Sequence, residues 1–166
     1  MQILLPLGLA ALALSPAFVG GPKNVTASLD GKAELSDGGT GSANMSFKID
    51  RYADGSLKGK MSFRFDDPSG QRKVQVSFKP KADDSLTGNL SVSGTQALYA
   101  GPATILDGVS KKSGALILFI SDRHGGRQPA SGNGDSVWMI VSPDDGSPGF
   151  SFAGIVDNGD IVLYGN

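Results

Sequence analysis

From Val25 onward the chain alternates apolar and polar residues with a period of two, interrupted by clusters of Gly, Asp, Asn, Ser and Pro. That period places successive side chains on opposite faces of an extended backbone, so each alternating run predicts a half-buried strand. The runs cover residues 25–35, 44–50, 56–66, 72–79, 85–93, 95–106, 115–120, 137–141, 150–156 and 161–164. In the second, Met45, Phe47 and Ile49 share one face; in the third, Leu57, Gly59, Met61, Phe63 and Phe65 do so, with Lys58, Lys60 and Arg64 opposite. Val74, Val76 and Phe78 alternate likewise, as do Leu86, Leu90 and Val92. Asp54-Gly55, Asp107-Gly108 and Asn158-Gly159 are dipeptides that favour tight hairpin turns, and Asp67-Pro68-Ser69-Gly70 adds a proline that presets φ. No helical periodicity follows the first 20 residues.

Two runs break the rule. Residues 115–120 and 137–141 are apolar at nearly every position, the pattern of strands covered on both sides. Gly101-Pro102 lies inside a third run. Proline cannot donate to a ladder, so a bulge or an edge position is expected there. About ten short strands joined mostly by tight turns predict an antiparallel meander. Such a meander must close into a barrel or fold into a sandwich to protect its edges. The fold class expected is therefore all-β, one domain over residues 22–166.

The first 20 residues differ from the rest. Met1 to Val19 carries no charged side chain, and Ser15 and Ala17 place small residues at −3 and −1 of a cut after Ala17. This is the apolar region and cleavage site of a secretory signal peptide over residues 1–17, although no Lys or Arg precedes it. The apolar run is shorter than the ~20 residues a bilayer-spanning helix needs, so no integral membrane segment is expected after cleavage. Cysteine is absent, which removes disulfides and thiolate metal sites. The expected location is secreted, periplasmic or on the cell surface, as a bacterial exported protein. The net charge of −1 gives no pull toward nucleic acid. The charge is uneven, however: residues 23–81 hold 11 basic and 7 acidic side chains, and residues 82–166 hold 4 and 9.

The residues also resemble a known family. The hairpin Met45-Ser46-Phe47-Lys48-Ile49 with Asp54-Gly55-Ser56-Leu57-Lys58-Gly59 comes first, then Val76-Ser77-Phe78, Ala103-Thr104 and Asp107-Gly108. An apolar strand ending Ser121-Asp122 follows, then Gly134-Asp135-Ser136-Val137 and a closing Gly159-Asp160-Ile161-Val162-Leu163. Over roughly residues 40 to 164 this order resembles the post-COAP-1 family of bacterial exported β domains. The resemblance implies export, an all-β fold and a stand-alone or C-terminal module of secreted or surface proteins. It implies no catalytic residues. The chain departs from the family at Arg123-His124-Gly125-Gly126-Arg127-Gln128-Pro129, where an asparagine- and glycine-rich loop is usual.

Candidate chemistry concentrates in that loop. It holds the only histidine, His124, and with Asp122, Arg123 and Asp135 it forms the expected ligand-binding set. Ser121, Asp122 and His124 do not make a credible triad, since no Gly-x-Ser-x-Gly elbow accompanies them. Zinc lacks ligands. Structural calcium could draw on Asp122, Asn133, Asp135, Asp144 and Asp145, but no calcium-loop spacing is present, so no cofactor is expected. Asp66-Asp67, Asp83-Asp84 and Asp144-Asp145 are turn neighbours rather than converging glycosidase pairs. Trp138, between Val137 and Met139, reads as packing rather than as a sugar platform. Lys58, Lys60, Arg64, Arg72 and Lys73 form a basic outer face. The function expected is a non-catalytic exported β domain, a structural or interaction module whose partner is a protein or a surface polymer. Two alternatives stand: a small-molecule-binding barrel, recognised by an interior cavity, and a secreted hydrolase using the 121–136 loop.

Overall fold

A computed structural model describes residues 24–38, 41–69, 72–78, 88–123 and 134–165. Nine strands run through them: β1 (Val25–Ser36), β2 (Ser42–Tyr52), β3 (Leu57–Asp66), β4 (Lys73–Phe78), β5 (Asn89–Ser93), β6 (Gln96–Asp107), β7 (Ser110–Ser121), β8 (Ser136–Pro143) and β9 (Phe150–Gly165). All pairings are antiparallel, in the order β4-β3-β2-β1-β9-β8-β7-β6-β5. β4 also pairs with β6, so the sheet closes on itself as an eight-stranded barrel with β5 as an extra strand. The choice between barrel and sandwich is thus a barrel.

The turns follow their chemistry. Gly55 and Gly108 adopt φ of 82° and 61°, values that residues with a Cβ resist. Asp54 accepts hydrogen bonds from the Ser56 amide at 2.9 Å and from the Ser56 hydroxyl at 2.6 Å, which locks the β2–β3 turn. The same bonds, the hydroxyl's first, hold the Asp54 carboxyl below its usual pKa.

Two expectations are resolved by pairing. β6 meets β5 from Gln96 to Ala100 and β4 from Thr104 to Asp107. Pro102 sits between these stretches, where its missing N–H has no ladder partner to lose, so the proline marks a local edge. The expected turn at Asn158-Gly159 is not there. β9 runs on from Phe150 to Gly165 as one strand, pairing first with β8 (Val141↔Phe150 to Ser136↔Ile155) and then with β1 (Ser36↔Ile155 to Ala27↔Gly165). The ladder shifts between Glu34 and Leu35, Asp157 is the extra residue, and Gly159 takes a φ of 102°. The turn-like sequence encodes a bulge that bends the strand, not a reversal.

Inward positions fill the barrel. Leu29, Ile49, Phe63, Val74, Leu118, Met139 and Ile161 belong to one contiguous buried cluster to which every strand contributes. Aromatic rings occupy the space between distant strands: Phe63 of β3 meets Phe152 of β9 with centroids 5.2 Å apart, and Phe65 meets Phe150 at 5.5 Å. Phe78 stacks on Tyr99 at 4.9 Å. The Phe47 ring lies over Gly31, at the place a Cβ there would occupy.

The β4–β6 seam is short. Asp107 accepts from Arg72 at 2.8 Å, and Gly108 N–H donates to the Lys73 carbonyl at 3.1 Å. Both Arg72 and Asp107 are roughly half exposed, so the ion pair adds less than about 1 kcal/mol. The stronger contribution is the burial of Val76 opposite Ile105. In urea unfolding, Ile105→Ala is expected to cost about 2–4 kcal/mol and Arg72→Ala less than about 1. The reverse order would show that the ion pair holds the seam.

Tyr99 is fully buried, and among the described residues its hydroxyl has no hydrogen-bond partner. A Cβ at Gly101 would collide with that hydroxyl. Burial pushes its pKa up to about 12. The folded value lies above the ordinary value of 10, so this group's contribution is complete below about pH 10 and is lost as pH rises toward 12. Tyr99→Phe is expected to match or exceed wild-type stability by about 1 kcal/mol at pH 7, because an orphaned donor is removed. It is also expected to flatten the loss of stability above pH 10. A Phe variant that melts several degrees lower would mean that the hydroxyl is satisfied.

Candidate functional site

The connection from β7 to β8 holds the residues that the sequence singled out. Asp122 and Asp135 stand where it leaves and rejoins the barrel, and both are buried, 1% and 0% exposed. The Arg123 amide donates to Asp135 Oδ1 at 2.9 Å, which joins the two ends. The Asp122 amide donates to the Thr95 carbonyl at 2.8 Å, and the Val156 amide donates to the Asp135 carbonyl at 2.9 Å. Asp122, Arg123 and Asp135 are therefore brought together, tied to the β5–β6 turn and to β9. The Arg123 residue itself is exposed. His124 lies outside the described residues, as do Asn133 and the Asp83-Asp84 pair. The Asp135 carboxylate secures a backbone amide at a strand junction, and the backbones of Asp122 and Asp135 bond to Thr95 and Val156 on either side of it.

The other acidic groups do not converge on this place. Asp144 and Asp145 lie in the β8–β9 turn, at the opposite end of β8. There Asp145 accepts from the Ser147 hydroxyl and amide and pairs with Lys112 at 3.3 Å. The Ser147 hydroxyl bond, then its amide, lowers the Asp145 pKa to about 2. Among the described residues no group of three His, Asp or Glu is placed to hold a metal ion. In the basic face, Arg64 pairs with Asp66 at 2.9 Å, Arg72 pairs with Asp107, and the Lys58 ammonium lies 5.3 Å from the centre of the Tyr52 ring.

The outside of the barrel has two unlike halves. Across β1, β2 and β3 the outward residues include Asp30, Lys32, Glu34, Lys48, Lys60 and Arg64, with Asp30 and Lys48 directly opposed in register and 3.6 Å apart. An open groove of about 450 Å³ crosses this half, lined by Lys32, Glu34, Asn44, Ser46, Ser62 and Arg64 among others. Across β6 from Gln96 to Thr104, β7 from Ser113 to Ser121, β8 and the first part of β9 the outward positions carry no charge, and the exposed Lys111 at the start of β7 lies beyond that stretch. One row reads Leu98, Phe119, Trp138, Ala153 and the next Ala100, Ile117, Ile140, Ser151, each set in register. Gln96, Ser113, Ser121, Ser136 and Ser142 bound the patch. Leu98, Ile117 and Trp138 are 44%, 46% and 50% exposed.

This face corrects a sequence reading. The doubly apolar runs at 115–120 and 137–141 are buried on the inner side only, and Trp138 stands outward rather than in the core. The signal for the face was present in the loss of alternation. The sequence could not say that no strand among the described residues lies over it, because cover is supplied by elements distant in the chain.

If Asp135 serves the junction, Asp135→Ala should cost about 1–3 kcal/mol in chemical denaturation, since a buried amide loses its acceptor. Asp135→Asn, which keeps an acceptor oxygen, should cost less. Equal and negligible losses would remove the structural role. No family model, no curated protein and no solved structure matches this chain.

Proposed function

We propose that this chain is an exported, non-catalytic β-barrel module that acts by docking, and that it docks through the outward face of β6 to β9. The observation carrying this reading is that face: adjoining apolar rows across four strands, Leu98–Phe119–Trp138–Ala153 and Ala100–Ile117–Ile140–Ser151, without a charge among them and with Trp138 half exposed. A contiguous exposed apolar patch is the ordinary mark of an interaction surface. The interior supports the same reading, since it is occupied by one packed cluster of side chains rather than kept open for a ligand. Export rests on the uncharged N-terminal stretch with Ser15 and Ala17 and on the resemblance to the post-COAP-1 family. No specific observation favours a small-molecule barrel or a hydrolase, as Asp122 and Asp135 are buried.

Two measurements test the proposal. Residues 1–22 fused to a leaderless reporter that is active only after export should give activity; an inactive fusion would remove the exported half of the reading. For the docking half, an apolar fluorescent probe titrated onto about 1 µM folded protein should bind the wild type. The double variant Leu98→Lys/Ile117→Lys should lose most of that binding while shifting stability by less than about 1 kcal/mol, as fits half-exposed positions. Probe binding that survives both lysines would place the apolar site inside the barrel instead.

A further inference from the structure

We infer that β5 is a strap: it crosses one end of the barrel, is latched there by Arg51, and opens while the barrel stays folded. Its contacts trace a path across that end. Gly88, just before β5, lies against Leu57 at the start of β3. The Leu90 carbonyl meets Arg51 near the end of β2, and Val92 lies against Gly165 at the end of β9. None of these three strands neighbours β6 in the wall. A strand paired to β6 reaches them only by passing over the open end.

The strap is held lightly. Among the described residues β5 pairs with β6 alone, over Asn89–Ser93, whereas each strand of the wall has a ladder on both sides. Alternation turns Asn89, Ser91 and Ser93 outward and leaves only Leu90 and Val92 to pack on the core. β7, by comparison, buries Leu116, Leu118 and Ile120. A single ladder and few buried apolar contacts mark a segment that opens before the whole fold does. The latch is the Arg51 guanidinium. Its Nη1 donates to the Leu90 carbonyl at 2.8 Å, and its Nε donates to the Thr26 hydroxyl at 3.2 Å. That hydroxyl in turn donates to the Arg51 carbonyl, which fixes the side chain on β1. A bond from a charged donor is stronger than a neutral one. The far end of the strap is anchored: the Thr95 carbonyl accepts from the Asp122 amide, so the swing begins at Gly94, whose φ is 56°.

Closure also works against one group. Gly88 lies against the Tyr99 ring, and among the described residues the buried Tyr99 hydroxyl has no partner. A stranded hydroxyl favours the open arrangement, in which water reaches it. One charge-assisted bond and two apolar side chains hold the strap shut, and one unpaired hydroxyl opposes them, so two arrangements lie close in free energy. Opening uncovers Leu57, Leu90 and Tyr99, and the strap therefore controls access to the core at this end of the barrel. It is a device of the barrel's end and not of the outward face of β6 to β9.

The chain has no cysteine, so a single buried thiol placed in the full chain reports opening by its reaction with a thiol reagent. Leu90→Cys marks the strap and Leu118→Cys the wall; both leucines are fully buried. Without denaturant the strap thiol is expected to react about 100-fold faster than the wall thiol, with little dependence on low urea. Arg51→Met should speed strap labelling by about tenfold, the worth of a lost bond from a charged donor, and Tyr99→Phe should slow it by about fivefold. Ile105→Val weakens a contact that survives in the open state. It should speed wall labelling about fivefold and leave strap labelling within about twofold. Hydrogen exchange of the wild type checks the same point without a cysteine: a peptide spanning β5 should exchange well before one spanning β7. Two thiols that react at one rate, or two peptides that exchange together, overturn the inference, because β5 then opens only with the barrel. A strap thiol as reactive as in the unfolded chain overturns it too, since no closed strap exists. So does strap labelling that follows Ile105→Val as the wall does, or that Arg51→Met leaves unchanged.

Discussion

The fold depends on closure between β4 and β6. Eight strands follow one another as hairpin neighbours or as the joined chain ends, and each such pairing is local or supplies a full-length ladder. The β4–β6 pairing spans only Val74–Ser77 against Thr104–Asp107. Without it the meander would keep two long open edges, which in water recruit other strands. Its strength lies in the inward residues that it brings together, Val74, Val76 and Ile105, with the Arg72–Asp107 pair as a half-exposed fastening.

Closure also dictates the partition of β6 and β9. β6 must serve two strands on one side, so it is long, and the proline falls where neither partner needs an N–H. β9 must pass from β8 to β1, so it is the longest strand, and a bulge at Asp157–Gly159 bends it through the change of partner. The interior then has to be filled by few, large side chains set against glycines, as with Phe47 over Gly31 and Phe152 against Gly154.

At one end, Asp135 accepts the Arg123 amide at the mouth of the β7–β8 connection, and the Asp122 amide donates to the Thr95 carbonyl. On the outside, charge is uneven: the half on β1 to β3 carries ion-paired residues, and the central rows of β6 to β9 carry none. The unevenness follows from sequence halves of opposite charge balance wound into one wall. The N-terminal half supplies the basic outward rows, while among the described acidic residues of the C-terminal half Asp144 and Asp145 lie in a turn, Asp122 and Asp135 are buried at the β7–β8 junction, and Asp107, Asp157 and Asp160 lie on β6 and β9.

Alternation by itself determined the class, the inward residues and most strand limits, because a period of two leaves no freedom about which face a side chain takes once a strand forms. Met45, Phe47, Ile49, Val74 and Val76 needed no structure to be placed in the core. The sequence also marked Asp122 and Asp135 as notable, but not that both are buried or that Asp135 accepts the Arg123 amide. Tertiary structure alone decided three matters. Asn158-Gly159 bends a strand instead of reversing it, since local turn propensity yields to a ladder that continues on β1. β4 pairs with β6, since register between strands 30 residues apart is set by packing and not by neighbours. The apolar outer rows of β7 and β8 face outward with no described strand over them, since what lies over a face is decided by residues far away in the chain, to which a local pattern is blind.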